Sequence, residues 1–118
     1  MAETTYATST NVGNRIGITF SDDPATRPSL TQAIAMCTDA DSIINGYMKQ
    51  SSNITDTYGF LRTVAINLVI KMINNLFALA EPDAYALIEV QLTEQDKELI
   101  TKAHSIWAAD SWEMGVDT

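Results

Sequence analysis

Few side chains in this sequence could do acid–base or nucleophilic chemistry, and they are widely spaced. The single histidine, His104, falls beside the apolar face of a predicted helix, and no nucleophile is paired with it. The single cysteine, Cys37, lies among apolar residues at helical spacing, where a thiol behaves as a small hydrophobic group. We therefore interpret both as structural residues, and we expect no enzyme activity.

The acidic side chains do not form a catalytic or metal-binding pattern. Asp39 and Asp41 are two residues apart on a predicted helix, so they do not face each other. Asp22 and Asp23 lie in a loop without the acidic spacing and glycine of an EF-hand, which favours a solvated turn over a calcium site. Because the sequence also lacks a phosphate-binding loop, a nucleophile elbow and a zinc pattern, no cofactor or metal is expected.

Length and composition predict one folded domain spanning residues 1–118. Hydrophobic residues make up 46% of the chain and aromatic residues 8%, which is typical of globular proteins. One cysteine allows no internal disulfide, and the N-terminus lacks the basic start and apolar run of a signal peptide. Folding inside a cell is therefore expected.

The net charge of −8 is concentrated in the C-terminal third. Residues 1–80 carry six acids and five bases, whereas residues 81–118 carry nine acids and only Lys97 and Lys102. Nucleic-acid binders usually present a basic patch that neutralises phosphates. The charge distribution therefore disfavours tight DNA binding.

Residues 60–79, FLRTVAINLVIKMINNLFAL, form the most apolar segment and show a helical pattern. A narrow polar stripe of Thr63, Asn67, Lys71 and Asn74 interrupts an otherwise apolar circumference. Such a helix must be covered on two sides, by its own chain, by another subunit, or by both. The predicted core residues of this helix are Phe60, Leu61, Val64, Leu68, Ile73, Leu76 and Phe77.

The same segment is long enough to cross a bilayer, at roughly 30 Å. However, Arg62 and Lys71 lie inside it, and a charge near a bilayer centre costs about 2.5 to 3.5 kcal/mol. We therefore expect a buried helix and no membrane contact.

Weaker elements are predicted before this helix. Residues 1–9 read as a flexible, extended arm, and residues 11–18 as a short helix capped by Thr10 or Asn11 and weakened by Gly13 and Gly17. Residues 19–28 contain two prolines and read as a loop.

A second amphipathic helix is predicted to start at the N-cap Ser29 and to run to about Met48. Gly46 near its end suggests either close packing or an early stop. A polar connection, residues 49–57, follows, and Asp56 or Thr57 can cap the helix of residues 60–79. Short connections of this kind favour an antiparallel helix pair.

Residues 83–109 allow either one long helix or two, and we favour two. The first helix would end near Gln91, and Thr93 with Asp96 would cap the second in a variant of the capping box. Glu94, Asp96 and Glu98 are then a solvated helix start rather than a metal site. The residues that follow, 110–118, read as a tail.

Trp112, Met114 and Val116 are spaced apolar residues in this polar tail and are candidate contacts to another protein. The alternative is that Trp112 folds back on its own domain. Together, the elements predict an all-α fold, a small bundle of three to four helices with an N-terminal arm and a C-terminal tail.

The first part of the chain combines the tripeptide Tyr6-Ala7-Thr8, the short element at 12–18, and the loop leading to Ser29-Leu30-Thr31. This pattern resembles the head-to-tail connector, or adaptor, proteins of tailed bacteriophages. It continues in the alanine-containing helix that ends in residues 41–48, in Val64-Ala65-Ile66-Asn67-Leu68, and in residues 85–100. Asn45 stands where this family commonly has aspartate, and the basic residues that often follow its third helix are missing here.

This resemblance implies a virion protein located at the phage neck and assembled in the host cytoplasm. It would form a ring, expected to be twelve-fold, between the portal protein and a stopper or tail completion protein. The ring would extend the DNA channel without binding DNA specifically, and by analogy Trp112, Met114 and Val116 would dock on the portal. The alternative function is a small acidic helical module that binds a basic partner as a regulator.

Overall fold

The computed structural model describes residues 4–80 and 90–113, and it describes side chains for residues 4–76 and 90–109. In these ranges the chain forms four helices, α1 (Ser9–Ile16), α2 (Leu30–Met48), α3 (Phe60–Ala80) and α4 (Glu94–Glu113). The described part contains no strand beyond a single antiparallel bridge between Asp22 and Ala25. The predicted all-α bundle is therefore confirmed.

Helix α3 lies at the centre of the bundle and packs against α1, α2 and α4. Leu61, Val64 and Leu68 are fully buried, and Ile73 is 2% exposed. Phe60 is half-buried and packs against the edge of the core, and Leu76 is half-buried. The side chain of Phe77, the remaining predicted core residue, lies outside the described residues. The expectation that this helix is covered on more than one side is confirmed, and its own chain supplies the cover.

The polar stripe of α3 lies at the margin of this contact. Thr63, Asn67 and Lys71 are half-buried, and Asn74 is exposed. The Lys71 ammonium group donates a hydrogen bond of 2.9 Å to the carbonyl oxygen of Gln91. Lys71 of the stripe therefore connects α3 to the segment that leads into α4.

Helix α1 begins earlier than predicted. Thr8, rather than Thr10 or Asn11, is its N-cap: the Thr8 hydroxyl accepts the Asn11 backbone N–H, and the Asn11 side chain accepts the Thr8 N–H. This reciprocal pair satisfies two N–H groups at once, which favours the earlier start. Gly13 is required here, because a Cβ atom at this position would collide with the carbonyl oxygen of Ile18.

Helix α2 starts and ends close to the predicted residues. Ser29 caps it in a reciprocal pair with Gln32. The Asp22 carboxylate, from the exposed turn in the predicted loop, accepts hydrogen bonds of 2.9 Å from the backbone N–H and the hydroxyl of Thr31. Both hydrogen bonds lower the pKa of Asp22, and the one from the Thr31 backbone has the larger effect.

Both expectations for Gly46 are wrong. Helix α2 continues to Met48, so it does not stop early, and open space lies beside this glycine, so it does not allow close packing.

The caps of α3 and α4 follow the sequence. The Asp56 carboxylate accepts the backbone N–H groups of Leu61 at 3.0 Å and of Arg62 at 2.9 Å. Thr93 and Asp96 cap α4 reciprocally, with both hydrogen bonds at 3.0 Å. The predicted break before α4 is confirmed at 90–93, which are not helical, while most of the proposed preceding helix lies outside the described residues.

The tail predicted for residues 110–118 is partly wrong, since α4 continues through Glu113. Ala108 and Ala109 favour helix, and no glycine interrupts the sequence before Gly115. Residues 114–118 lie outside the described residues. None of the helices in the described ranges is long and apolar enough to cross a membrane.

Candidate docking surface

The residues singled out for possible chemistry do not come together. Cys37 is fully buried in the core, which confirms its structural interpretation. His104 is half-buried, with its Nε2 atom 3.3 Å from the side-chain nitrogen of Gln50 and its ring 5.6 Å from that of Trp107. Among the described residues, no group of three or more histidine, cysteine or acidic side chains is placed to hold a metal ion.

Asp39 and Asp41 lie on different sides of α2, as their spacing predicted. Asp39 is exposed, whereas Asp41 is only 7% exposed. The two oxygens of the Asp41 carboxylate lie 3.1 and 3.2 Å from the backbone nitrogen of Tyr6, which donates to them. The side-chain amide of Asn53 donates a third hydrogen bond, of 2.7 Å, to the same carboxylate.

These contacts belong to a polar network around the buried Asp41 that joins three separate parts of the chain. The Tyr6 hydroxyl donates to the Asn45 side chain at 2.7 Å and accepts the Ile54 backbone N–H at 2.9 Å. Asn45 in turn donates to the Asn53 side chain at 2.7 Å. We call Tyr6, Asp41, Asn45 and Asn53 the Asp41 network.

The network anchors the segment that the sequence suggested would be a flexible arm. Asn53 also donates to the Thr4 carbonyl oxygen at 3.2 Å, and Ala7 is fully buried. The described residues 4–8 are non-helical but packed against α2 and the connection that follows it. The expectation of a flexible arm is therefore wrong for these residues.

Burial perturbs both ionisable groups of the network. Desolvation raises the pKa of Asp41, although the hydrogen bonds from Asn53 and Tyr6 oppose this change. Desolvation also raises the pKa of Tyr6; the Ile54 N–H lowers it, and the nearby carboxylates of Asp41 and Asp56 raise it further. Because the Asp41 oxygens are occupied by N–H donors, the network is suited to fixing the fold rather than to binding a ligand.

In contrast to the Asp41 network, the surface beside α4 contains exposed aromatic side chains. Tyr58 is 67% exposed and Tyr47 is 44% exposed, and these are the exposed large hydrophobic residues of the described part of the chain. Tyr58 precedes α3 and Tyr47 lies near the end of α2, so the two tyrosines flank α4 from different elements. Exposed aromatic side chains of this kind are enriched at protein–protein interfaces.

A groove of about 500 Å³ lies between Tyr58 and α4. We call it the Tyr58 groove; its lining is mostly apolar and consists of Tyr58, Phe60, Thr101, Lys102, Ser105 and Ile106. The Tyr58 and Phe60 rings lie 5.9 Å apart and form one wall. Gly59 between them has a φ of 76°, and a Cβ atom there would lie 2.8 Å from the Arg62 guanidinium. The positive φ therefore favours a glycine between the two aromatic residues.

A second groove, of about 380 Å³, continues along the same helix. It shares Thr101 and Lys102 with the Tyr58 groove and is lined by Tyr47, Glu94, Lys97 and Glu98 as well. The Lys97 ammonium group lies 3.5 Å from the Glu94 carboxylate. The lining of this second groove contains charged side chains of both signs. The Tyr58 groove is therefore the better candidate for an apolar partner.

The predicted docking residues are only partly located. Trp112 belongs to the last turn of α4, but its side chain, like all of Met114 and Val116, lies outside the described residues. The sequence analysis missed the Tyr58 groove, because it gave Tyr58 and Gly59 no role and assigned Phe60 to the core. The available signal was an aromatic pair around a glycine, Tyr58-Gly59-Phe60, directly before an apolar helix.

No protein-family model, curated protein or solved structure matches the chain.

Proposed function

We propose that this chain is a structural subunit of a ring that connects the portal of a phage-like particle to its tail or stopper. The proposal rests on the sequence resemblance to head-to-tail connector proteins. It is supported most directly by one observation, the 67% exposure of Tyr58 beside an apolar groove along α4. Because burial of aromatic surface drives association, such a surface suits a protein that acts by assembling with others.

The Asp41 network gives secondary support to this proposal. Tyr6, Asp41 and Asn45 belong to two of the stretches that resemble connector proteins, residues 6–8 and 41–48, although Asn45 replaces the aspartate common in that family. Tyr6 is hydrogen-bonded to both Asp41 and Asn45. The two stretches thus form one structural unit. A rigid unit of this kind suits a ring subunit, since identical contacts must repeat in every copy.

Ring formation requires two different faces that bind each other, with a rotation that closes. The Tyr58 groove is our candidate for one of these faces. The acidic excess of residues 81–118 suits a channel through which DNA passes, because like charge disfavours adhesion of the phosphate backbone. In this proposal the portal protein and a stopper or tail completion protein are the partners, and Trp112, Met114 and Val116 are proposed to contact either the portal or a neighbouring copy in the ring.

Light scattering and electron microscopy, each with and without a purified portal ring, test the proposal. We expect a monomer or weak oligomer of the chain alone, and a ring seated on the portal when both are mixed. Serum albumin in place of the portal is the control for unspecific adhesion. A permanent dimer that ignores portal rings would contradict the proposal.

The charge asymmetry favours a second candidate, an acidic helical module that binds a basic partner. Residues 81–118 hold nine of the fifteen acidic residues and two of the seven basic ones. A pull-down from a host lysate separates the two functions, because a regulator should recover a basic host protein in a salt-sensitive manner, whereas a connector should not.

A further inference from the structure

We propose that the Tyr58 groove binds residues 110–118 of a second copy of this chain, so that copies join head to tail. The inference rests on the proposed ring and names the partner of one of its faces. It assigns Trp112, Met114 and Val116 to a contact between neighbouring subunits.

The shape and polarity of the groove favour an apolar side chain as its occupant. Tyr58 stands 67% exposed, and the half-buried Phe60 and Ile106 continue the apolar lining towards the core. An aromatic or thioether side chain placed there would cover the exposed Tyr58 face. Residues 110–118, DSWEMGVDT, supply a tryptophan, a methionine and a valine at alternate positions.

Charge complementarity favours this acidic segment over a basic one. Lys102 lines the Tyr58 groove and makes no ion pair with the described residues, and the Arg62 guanidinium lies against Gly59 beside it. Asp56 is close by, but its carboxylate already accepts two backbone N–H groups. The proposed occupant carries Asp110, Glu113 and Asp117 and no basic residue.

The course of α4 favours a neighbour over the same copy. The helix continues to Glu113, so Trp112 is six residues beyond Ile106 and about 9 Å farther along the helix axis. The end of α4 therefore points away from the groove of its own copy. A segment at one end that binds a groove at the middle of the next copy is a heterologous contact, the kind that builds rings or filaments.

A complementation experiment with full-length chains tests this inference. Tyr58→Ser alters the groove and keeps the segment, whereas Trp112→Ala alters the segment and keeps the groove. We expect wild-type chains to associate progressively from micromolar to millimolar concentration in sedimentation velocity, and each variant alone to associate about tenfold or more weakly. An equal mixture of the two variants should form a 1:1 dimer, since one intact groove then meets one intact segment.

Tyr47→Ser is the matched control, because it removes an exposed tyrosine of the neighbouring groove and should leave association unchanged. Lys102→Glu should weaken association, and added salt should weaken the wild type in the same way. Circular dichroism of every variant verifies the fold, and Lys102→Glu serves as the groove variant should Tyr58→Ser fail to fold.

Several results would overturn the inference. These are a wild type that stays monomeric at millimolar concentration, a mixture of variants that stays monomeric, or a Tyr58→Ser chain that associates like the wild type. If the Trp112 side chain is shielded from solvent to the same extent at every protein concentration, the segment binds within its own copy. That result would also overturn the inference. Capture of wild-type and Tyr58→Ser chains alike on portal rings would leave the connector proposal standing while this inference fails.

Discussion

The Asp41 network and the Tyr58 groove place polar and apolar groups in opposite surroundings. In the network, a carboxylate that is 7% exposed is surrounded by N–H donors. In the groove, a tyrosine ring that is 67% exposed has much of its surface open to water. Buried polar groups with partners specify one fold, whereas exposed apolar surface can still gain free energy by association. The comparison indicates that the first region maintains the subunit and the second connects it to others.

The strongest test of this comparison removes the acceptor at the centre of the network. Asp41→Ala should lower the free energy of unfolding by about 2 to 4 kcal/mol, because the Tyr6 N–H and the Asn53 amide lose their buried acceptor. Urea unfolding followed by circular dichroism measures the change. Asp39→Ala, on the exposed side of the same helix, is the matched control and should change stability by no more than about 0.5 kcal/mol. Equal losses in both variants would contradict the role of the network.

A smaller loss is expected when only the hydroxyl of Tyr6 is removed. Tyr6→Phe keeps the ring but leaves the Ile54 N–H without its acceptor and Asn45 without its donor. We expect a loss of about 1 to 2 kcal/mol in the same unfolding experiment. Tyr47→Phe, at an exposed tyrosine near the end of α2, provides the comparison and should be neutral. A neutral Tyr6→Phe variant would show that the hydroxyl does not help to hold the N-terminal segment.

The raised pKa of Asp41 predicts a specific dependence of stability on pH. Its folded-state pKa is above the unfolded value, so the folded protein binds the proton more tightly. The stabilisation linked to this group is therefore fully present below the unfolded pKa and is lost as pH rises through the folded pKa. Asp41→Asn removes this dependence, so the variant should gain stability relative to the wild type as pH rises through that window.

Unfolding of both proteins at a series of pH values from acid to neutral measures this difference. Subtracting the two profiles cancels the other carboxylates, including Asp22, whose lowered pKa acts with the opposite sign. An Asp22→Asn variant is a matched control and should lose stability relative to the wild type as pH rises. A flat difference profile for Asp41→Asn would contradict desolvation of this carboxylate.

The smallest effect on stability is expected in the groove. Tyr58→Ser should change the free energy of unfolding by no more than about 0.5 kcal/mol, because the side chain is 67% exposed. The same substitution is expected to weaken association between copies. It should therefore change the association measurement while leaving the free energy of unfolding nearly unchanged. A large loss of stability would place Tyr58 with the folding residues and remove the contrast between the two regions.

Local features of the fold could be predicted from the sequence because they depend on residues close together in the chain. The capping pairs at Ser29 and Thr93 span three residues each, and the caps were located correctly. The cap of α1 was misplaced by two or three residues, although its Thr8 and Asn11 have the same spacing. The buried positions Leu61, Val64 and Leu68 followed from helical periodicity.

Much less of the candidate site could be predicted. Tyr6 and Asp41 are 35 residues apart, and Tyr6 and Ile54 are 48 apart, so no local pattern brings them together. The sequence correctly predicted that Asp41 and Asp39 do not face each other. However, the burial of Asp41 depends on an N-terminal segment that was predicted to be a flexible arm. The exposure of Tyr58 likewise depends on how α4 packs beside the start of α3.

By itself, the sequence determined an all-α bundle of three to four helices, most of the helix caps, the apolar face of α3 and the acidic C-terminal third. These features follow from short-range hydrogen bonds, helical periodicity and charge, which do not require a tertiary fold. The tertiary structure alone decided that the N-terminal segment is anchored to Asp41, and that Tyr58 and Phe60 form one wall of an open groove. Both outcomes depend on which distant residues exclude water from a given side chain, and that is a property of packing.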